Sequence, residues 1–195
     1  MLSASLFQPA LNLRLSGNYF LVSNYTYFTD YYKAEQENAL FNLLQIGVEK
    51  IIKIGKRWVW HTDIYFQQKT GDVALNLPTI FTRNRIGYEG TLGLRKLNLA
   101  TGFEIKYHTA YKADGYSPAI GKFFYQDSIK ISNRPDITYY LHFRIRNFRA
   151  FFRAENLNTI ETTNGFGFRH HNFAAPDYPY PGINLRLGIY WTFVN

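Results

Sequence analysis

The sequence predicts an all-β fold, an antiparallel transmembrane β-barrel formed by a meander of about eight strands. Three observations support this prediction: segments of alternating polarity about ten residues long, connections that alternate between long and short, and an aromatic content of 18%. A transmembrane strand needs roughly 9–11 residues, with apolar side chains towards lipid and polar side chains towards the lumen. Outer-membrane barrels also have short periplasmic turns and long outer loops.

The clearest strand is the last one, residues 183–195. Apolar residues occupy every second position and polar residues lie between them: Ile183, Leu185, Leu187, Ile189, Trp191 and Phe193 against Asn184, Arg186, Gly188, Tyr190 and Thr192. A period of two over this length indicates a strand with one apolar and one polar face. By itself the segment also fits the closing strand of a soluble β-sandwich, so the other segments decide between the two.

Seven further segments alternate in the same way and are predicted as strands, although residues 40–44 also fit a helix. The segments are about residues 10–22, 40–54, 58–68, 80–94, 97–109, 136–145 and 148–156. Long loops are predicted at 23–39, 69–79, 110–135 and 157–182, and short turns at 55–57, 95–96 and 146–147. Long and short connections therefore alternate along the chain. A membrane barrel explains this alternation, whereas a soluble sandwich does not.

Each short turn keeps the same face apolar. A two-residue hairpin loop pairs residue i with i+3, as for Ile145 with Phe148 and Leu94 with Leu97. A three-residue loop pairs i with i+4, as for Ile54 with Trp58. The strands therefore form a meander, with both ends expected on the short-turn, periplasmic side. The barrel either closes by itself or is part of a larger one.

Composition limits the remaining classes. The length of 195 residues fits one domain, residues 1–195, and the absence of cysteine excludes disulfides and thiolate chemistry. No apolar run is long enough for a transmembrane helix. The net charge is +8, but basic residues recur singly and most aromatic residues lie on the opposite face, which argues against nucleic-acid binding. Residues 1–7 lack the regions of a signal peptide, so we expect an incomplete piece of a longer chain.

Several short motifs follow one another along the chain. They are Asn-Tyr-Thr-Tyr at 24–27, Tyr-Glu-Gly at 88–90, Gly-Phe-Glu-Ile-Lys-Tyr-His-Thr at 102–109, Glu-Asn-Leu-Asn at 155–158, Tyr-Pro-Tyr-Pro at 178–181 and Gly-Ile-Tyr-Trp-Thr-Phe-Val-Asn at 188–195. In this order they resemble the C-terminal part of the Bacteroidetes putative porin family, over nearly the whole chain. The resemblance implies an outer-membrane barrel whose full-length members are longer, and it carries no catalytic motif. The usual assembly signal is an aromatic residue at the last position, whereas Phe193 lies two residues before the end.

The alternation assigns the charged side chains to the lumen, because a charge that faces lipid at the midplane costs roughly 2–4 kcal/mol. The lumen-facing set contains Arg14, Arg83, Arg85, Glu89, Glu104, Lys106, Arg144, Arg149, Arg153, Glu155 and Arg186, with Glu49 and Asp63 beside them. In a wide barrel the surplus of arginine would favour anions, but in an eight-stranded barrel these side chains would pair and fill the interior. An aromatic girdle is assigned to Trp58, Trp60, Tyr107, Tyr139, Trp191 and Phe193.

The expected function is passive diffusion of small hydrophilic solutes, including anions, through the outer membrane. The expected partners are membrane lipid, small polar solutes and the barrel-assembly machinery, with no nucleic acid, cofactor or metal. The sequence does not indicate an oligomeric state. One alternative is a non-conducting scaffold barrel that binds envelope partners through its long loops. An enzyme is not expected, and a lipid hydrolase that uses His61, His108 or His142 with a serine is the weakest alternative.

Overall fold

A computed structural model describes residues 1–91, 93, 96–161, 167–168 and 170–193. The fold is all-β, and nine strands form one antiparallel sheet in which each strand pairs with the next one along the chain. The strands are β1 Leu2–Gln8, β2 Leu13–Val22, β3 Phe41–Ile54, β4 Trp58–Thr70, β5 Ile80–Gly90, β6 Leu97–His108, β7 Asp136–Ile145, β8 Phe148–Glu155 and β9 Asn184–Trp191. The predicted antiparallel meander is confirmed. No helix in the described ranges is long and apolar enough to cross a membrane.

The sheet has nine strands rather than about eight, because residues 2–8 form an additional first strand. Its alternation is too short to be assigned from the sequence, and Pro9 ends it. The connection Pro9–Leu11 is a single 3-10 turn, which Asn12 closes in the left-handed conformation with φ 46°. β2 therefore begins at Leu13, three residues later than the alternation indicates.

The additional strand changes where the sheet ends. We call the end with residues 9–12, 55–57 and 146–147 the short-turn rim, and the opposite end the long-loop rim. β1 and β9 both run from the long-loop rim to the short-turn rim, because antiparallel strands alternate in direction. The expectation that both ends lie on the short-turn side is therefore wrong. β1 and β9 are the two edges of the sheet, and no ladder joins them within the described residues.

Two of the three predicted hairpin registers are confirmed. Ile54 pairs with Trp58, and Ile145 pairs with Phe148. The third, Leu94 with Leu97, involves a residue outside the described ranges. Because directly paired residues share a face, the same face stays apolar across both described turns.

One face of the sheet is apolar and exposed. Its rows follow the register, as in Gly17–Ile46–Phe66–Ile80. Leu187 is 75% exposed and Ile189 is 67% exposed. Most of the buried apolar residues in the described ranges lie instead in or beside the loops. An apolar face of this extent exceeds the patches that soluble monomers expose, and it fits contact with lipid.

Several polar side chains interrupt the apolar face, and Lys50 and Asn84 lie near its middle rows. Lys50 and Asn84 both pair directly with Thr62. The Trp60 indole N–H donates to Asn84 Oδ1 at 3.1 Å, which satisfies the amide oxygen. Lys50 lies near the short-turn end of β3, so its long side chain can extend towards the headgroup region.

On the polar face, large rings lie over glycines one or two strands away. A Cβ on Gly87 would overlap the hydroxyl of Tyr140, whose side chain is almost completely buried. The Phe151 ring occupies the same kind of position over Gly188. Tyr65 does so over Gly47, and its hydroxyl donates to Glu49 Oε1 at 2.7 Å. These glycines leave the space that the rings occupy over the sheet, as in the aromatic rescue of strand glycines.

The loops of the long-loop rim contact one another and form what we call the loop cap, the described residues of 23–40, 71–79, 109–135 and 156–183. Short hairpins within it include Tyr25–Thr29 with Lys33–Glu37, and Gly115–Ser117 with Lys122–Phe124. The Tyr125 N–H donates to the carbonyl of Phe28 at 2.7 Å, which joins the first loop to the third. Ala113, Ser117, Ile131 and Ala175 are buried there, so the loop cap has its own small core.

Two asparagines join the third and fourth long loops. The Asn133 amide donates to the Phe173 carbonyl and accepts from the Phe173 N–H, each at 3.0 Å. The Asn172 amide makes the same pair of bonds with the backbone of Arg134, at 2.7 and 2.9 Å, and also donates to Asp136. Each amide therefore satisfies one backbone N–H and one carbonyl of the opposite loop, as a strand ladder would.

Asp114 introduces a charge into the loop cap. The Asn76 amide N–H donates to its Oδ1 at 2.9 Å. Burial raises the pKa of the Asp114 carboxyl, and the Asn76 bond only partly opposes this. Its negative charge also raises the pKa values of Tyr25 and Tyr111, whose burial is the larger cause.

Gly87→Ala should destabilise the sheet by about 1–3 kcal/mol, because the new methyl group overlaps Tyr140. Gly17→Ala is the matched control, since a Cβ at Gly17 meets no atom within 4 Å. The free energy of unfolding in detergent, measured by urea titration, checks this. Equal destabilisation by both variants would contradict the packing described for Tyr140.

Asp114→Asn should stabilise the loop cap at neutral pH. A carboxyl whose pKa is raised by folding costs stability once the pH rises above its usual value of 3.8, and the full cost is reached above the raised pKa. The wild-type loop cap should therefore open more easily as the pH rises from 4 to 7, and the asparagine variant should lose this trend while it keeps an acceptor for Asn76. Hydrogen exchange of residues 109–135 measures this opening. An unchanged pH trend in the variant would contradict the assignment to Asp114.

Candidate functional site

The polar face is built from rows of paired charges. One row crosses six strands from β2 to β7 and reads Arg14, Glu49, Asp63, Arg83, Lys106 and Asp136. The next reads His61, Arg85, Glu104 and Thr138. The residues of each row are directly paired and share one face. The register therefore places all eleven residues of the predicted lumen-facing set on the polar face, although it does not itself make that face a lumen.

Glu104 is the centre of the largest ion-pair cluster. Its carboxylate is bonded by Arg83 Nη2 and Nε at 2.7 and 3.0 Å, and Lys106 Nζ lies 3.3 Å away. Arg153 Nη2 reaches it from β8, across β7, at 3.6 Å. Glu104 is only 4% exposed. Three cations around one buried carboxylate compensate its charge, which would be costly to bury alone.

Two smaller clusters follow the same principle. Glu155 lies 3.3 Å from Arg153 Nε and 3.1 Å from Arg186 Nε. Glu49 accepts from the Tyr65 hydroxyl and lies 4.0 Å from Arg14 Nε. These ion pairs connect β2 with β3, and β8 with β9.

Four residues of the set differ, because the described structure records no ion pair for Arg85, Glu89, Arg144 or Arg149. The Arg85 guanidinium lies over the Tyr140 ring, 5.8 Å from its centroid. Arg144 Nε donates to the Arg146 carbonyl at 3.2 Å. Arg144 and Arg149 are directly paired and border an open cavity of about 850 Å³ at the short-turn rim, together with Glu89. Glu104 and Glu155, nearer the long-loop rim, are therefore compensated by cations, whereas the described structure records no carboxylate partner for Arg144 and Arg149 at the short-turn rim.

The six residues of the predicted girdle fall into two groups on the apolar side. Trp58, Trp60, Trp191 and Phe193 lie at or near the short-turn rim, and the rings of Trp191 and Phe193 stack at 5.0 Å. Tyr107 and Tyr139 lie nearer the long-loop rim. Their spacing fits two membrane interfaces, and contact with an interface stays a prediction.

The histidines of the hydrolase alternative are not brought together. His61 on β4 pairs directly with Arg85 on β5. His142 packs against Tyr140 and Phe151. His108 Nε2 accepts from the Asn133 amide. Within the described residues, no group of three or more acidic or histidine side chains could hold a metal. In the loop cap, His170 contacts Glu161 and His171 contacts the Tyr180 carbonyl.

The sequence patterns did not single out Tyr65, Tyr140 and Phe151, nor the asparagines of the loop cap. An aromatic residue opposite a glycine on the polar face would have indicated the three rings, but this signal requires the register between strands. For Asn133 and Asn172 no sequence signal existed, because their partners lie about forty residues away in another loop.

Comparisons with known proteins support one family. Neither the curated proteins nor the solved structures gave a match to this chain. The family model described as "Putative porin" matches residues 1–195, which is the whole chain. This confirms the resemblance to a porin family and implies a porin-like role in the outer membrane, in contact with lipid and small solutes. The chain, with its antiparallel sheet of one apolar and one charged face, belongs to this family of porins.

Proposed function

We propose that the polar face lines a water-filled pore through which small hydrophilic solutes, with a preference for anions, diffuse passively. The supporting observation is the separation of the two faces: the apolar face is exposed across the sheet, and the opposite face carries rows of charges. Lipid on one side and water on the other satisfy both faces. The family's porin-like role points away from catalysis.

The anion preference follows from the balance of charge. Basic residues outnumber acidic ones on the polar face: Arg14, Lys53, Lys69, Arg83, Arg85, Lys106, Arg144, Arg149, Arg153 and Arg186 against Glu49, Asp63, Glu89, Glu104, Asp136 and Glu155. A lumen with excess positive charge raises the local concentration of anions.

The edges of the sheet bear on the size of the barrel. Unpaired N–H and C=O groups along β1 and β9 could not remain in lipid, where each would cost several kcal/mol. Because β1 and β9 run in the same direction, antiparallel closure needs an odd number of further strands between them. We propose that residues 1–195 form one domain of a barrel that such strands complete, with an even total. The interior of an eight-stranded barrel is filled by its own side chains, and the nine strands described already exceed that number.

A second candidate function is a scaffold barrel that carries no current. The packed loop cap favours it, since buried Ser117, Thr159 and Asn172 show an organised surface rather than separate loops. The loop cap would then bind a partner in the envelope. For either function, insertion by the barrel-assembly machinery is part of the proposal.

Single-channel conductance in planar bilayers, with reversal potentials in a salt gradient, tests the pore. We expect steady current and an anion preference from the full-length barrel. Arg85→Gln should lower the ratio of anion to cation permeability about twofold, since one charge about 10 Å away in water contributes about 0.4 kcal/mol. Lys122→Gln, the same charge change in an exposed hairpin of the loop cap, should leave the ratio unchanged.

The outcomes separate the candidates. Inserted protein without current would contradict the pore and favour the scaffold. Current from the full-length protein but not from residues 1–195 would support the larger barrel. Equal shifts in the two variants would contradict the assignment of the lumen to the polar face.

A further inference from the structure

The short-turn end of the polar face holds two like charges in direct opposition. Arg144 on β7 pairs with Arg149 on β8, between Asn98 and Tyr190 in the same row. Like charges at directly opposed positions destabilise a sheet. The Arg146 carbonyl accepts from Arg144 Nε at 3.2 Å, but a carbonyl carries no negative charge that would offset the repulsion. An anion between the two guanidinium groups would offset their repulsion.

The surroundings differ from those of the arginines that pair with carboxylates on this face. Glu104, Glu155 and Glu49 each have a cation within 4.0 Å. Around Arg144 and Arg149, Glu89 is the acidic residue that borders the cavity, and it lies on β5, two strands away from Arg144. The two arginines therefore have hydrogen-bond donors left for a ligand.

The cavity in front of the arginines has an apolar floor. It has a volume of about 850 Å³, within the range of small-molecule sites. Ala100 and Gly188 leave space above the sheet because they have little or no side chain, and the Phe151 ring lies over Gly188. His142 packs against this ring with 6.2 Å between centroids, and Tyr190 borders the same space. A flat aromatic surface beside guanidinium groups suits an anion that carries an apolar group.

The turns next to the cavity are basic. Lys56 and Arg57 lie in one turn and Arg146 in another, and no acidic residue lies in the described turn residues 55–57 and 146–147. The loop cap, in contrast, carries acidic residues such as Glu35, Asp114 and Asp177 among its lysines. An excess of positive charge at one rim raises the local concentration of anions there.

We propose that this cavity is a binding site for amphipathic organic anions. Arg144 and Arg149 bind the carboxylate or phosphate group, and His142, Phe151 and Tyr190 contact the apolar part. Arginine suits this role because its planar fork binds such groups with two parallel hydrogen bonds. The inference rests on the proposed function in one respect: the polar face must be open to water and solutes. It extends that function by placing a selective site at the rim opposite the loop cap.

Calorimetric titration of the detergent-solubilised full-length protein tests the site, with phenyl phosphate and inorganic phosphate as probes. Phenyl phosphate should bind at least about tenfold more tightly, a difference of about 1.4 kcal/mol. Arg144→Gln combined with Arg149→Gln should weaken phenyl phosphate binding by about tenfold or more. Lys122→Gln combined with Lys130→Gln removes the same charge from the loop cap and should leave binding unchanged.

Further variants keep the test decisive. Arg144→Lys with Arg149→Lys retains the charge without the planar fork and should bind with intermediate affinity, even if the glutamine variant fails to fold. Phe151→Leu should reduce the preference for phenyl phosphate over phosphate. Equal binding of the two probes, or undiminished binding by the glutamine variant, would overturn the site. Binding does not require current, so a protein that binds but does not conduct would overturn the pore alone, and one that conducts without binding would overturn the site alone.

Discussion

The pairing of backbone groups between strands is the constraint on which the rest of the structure depends. A strand in lipid must bond its N–H and C=O groups to its neighbours, so the ladders fix the register. Side chains alternate with a period of two, so a strand that slipped by one residue would turn its own polar side chains towards lipid. For a strand that contributes to the row from Arg14 to Asp136, this would cost roughly 2–4 kcal/mol for each charge near the midplane. Continuous rows of one polarity across six strands therefore reflect a register that lipid itself enforces. The same constraint makes β1 and β9, the two edges of the sheet, the places where the further strands proposed above would pair.

Within this register, the arrangement of charge on the polar face is uneven between the two rims. Towards the long-loop rim Glu104 and Glu155 each lie within 4.0 Å of two or more cations, and Glu104 with its three partners is the most complete example. Such clusters hold side chains in place and leave few free donors for a solute. Near the short-turn rim Arg144 and Arg149 lack such partners in the described structure. Net charge alone does not distinguish these arginines. Their ion pairs do, because arginines paired with carboxylates hold neighbouring strands together, whereas Arg144 and Arg149 have donors available for a ligand.

The loop cap shows how long polar loops become ordered without a strand ladder. Asn133 and Asn172 each satisfy an N–H and a carbonyl of the opposite loop, so backbone groups that would otherwise be buried without partners are bonded. Aromatic contacts complete the packing, such as Tyr31 with Phe124 at 4.4 Å between centroids. The third loop contacts each of the others, through Phe28, Asn76 and Phe173. The loops therefore act together at one rim.

The sequence by itself determined the strand type, the meander, two hairpin registers and the polarity of each face, because alternation and turn length are local properties. It also determined the family, through motifs spread along the whole chain. The tertiary structure decided what depends on distant partners. The additional strand β1, Leu2–Gln8, is too short to be assigned without its ladder to β2. It places the first residues at the long-loop rim and not at the short-turn rim, where the sequence had predicted them. Which arginines are paired depended on the register across several strands, and the joined loops depended on contacts about forty residues apart. Local periodicity fixes which face a side chain occupies, and only the assembled sheet fixes which side chain it meets there.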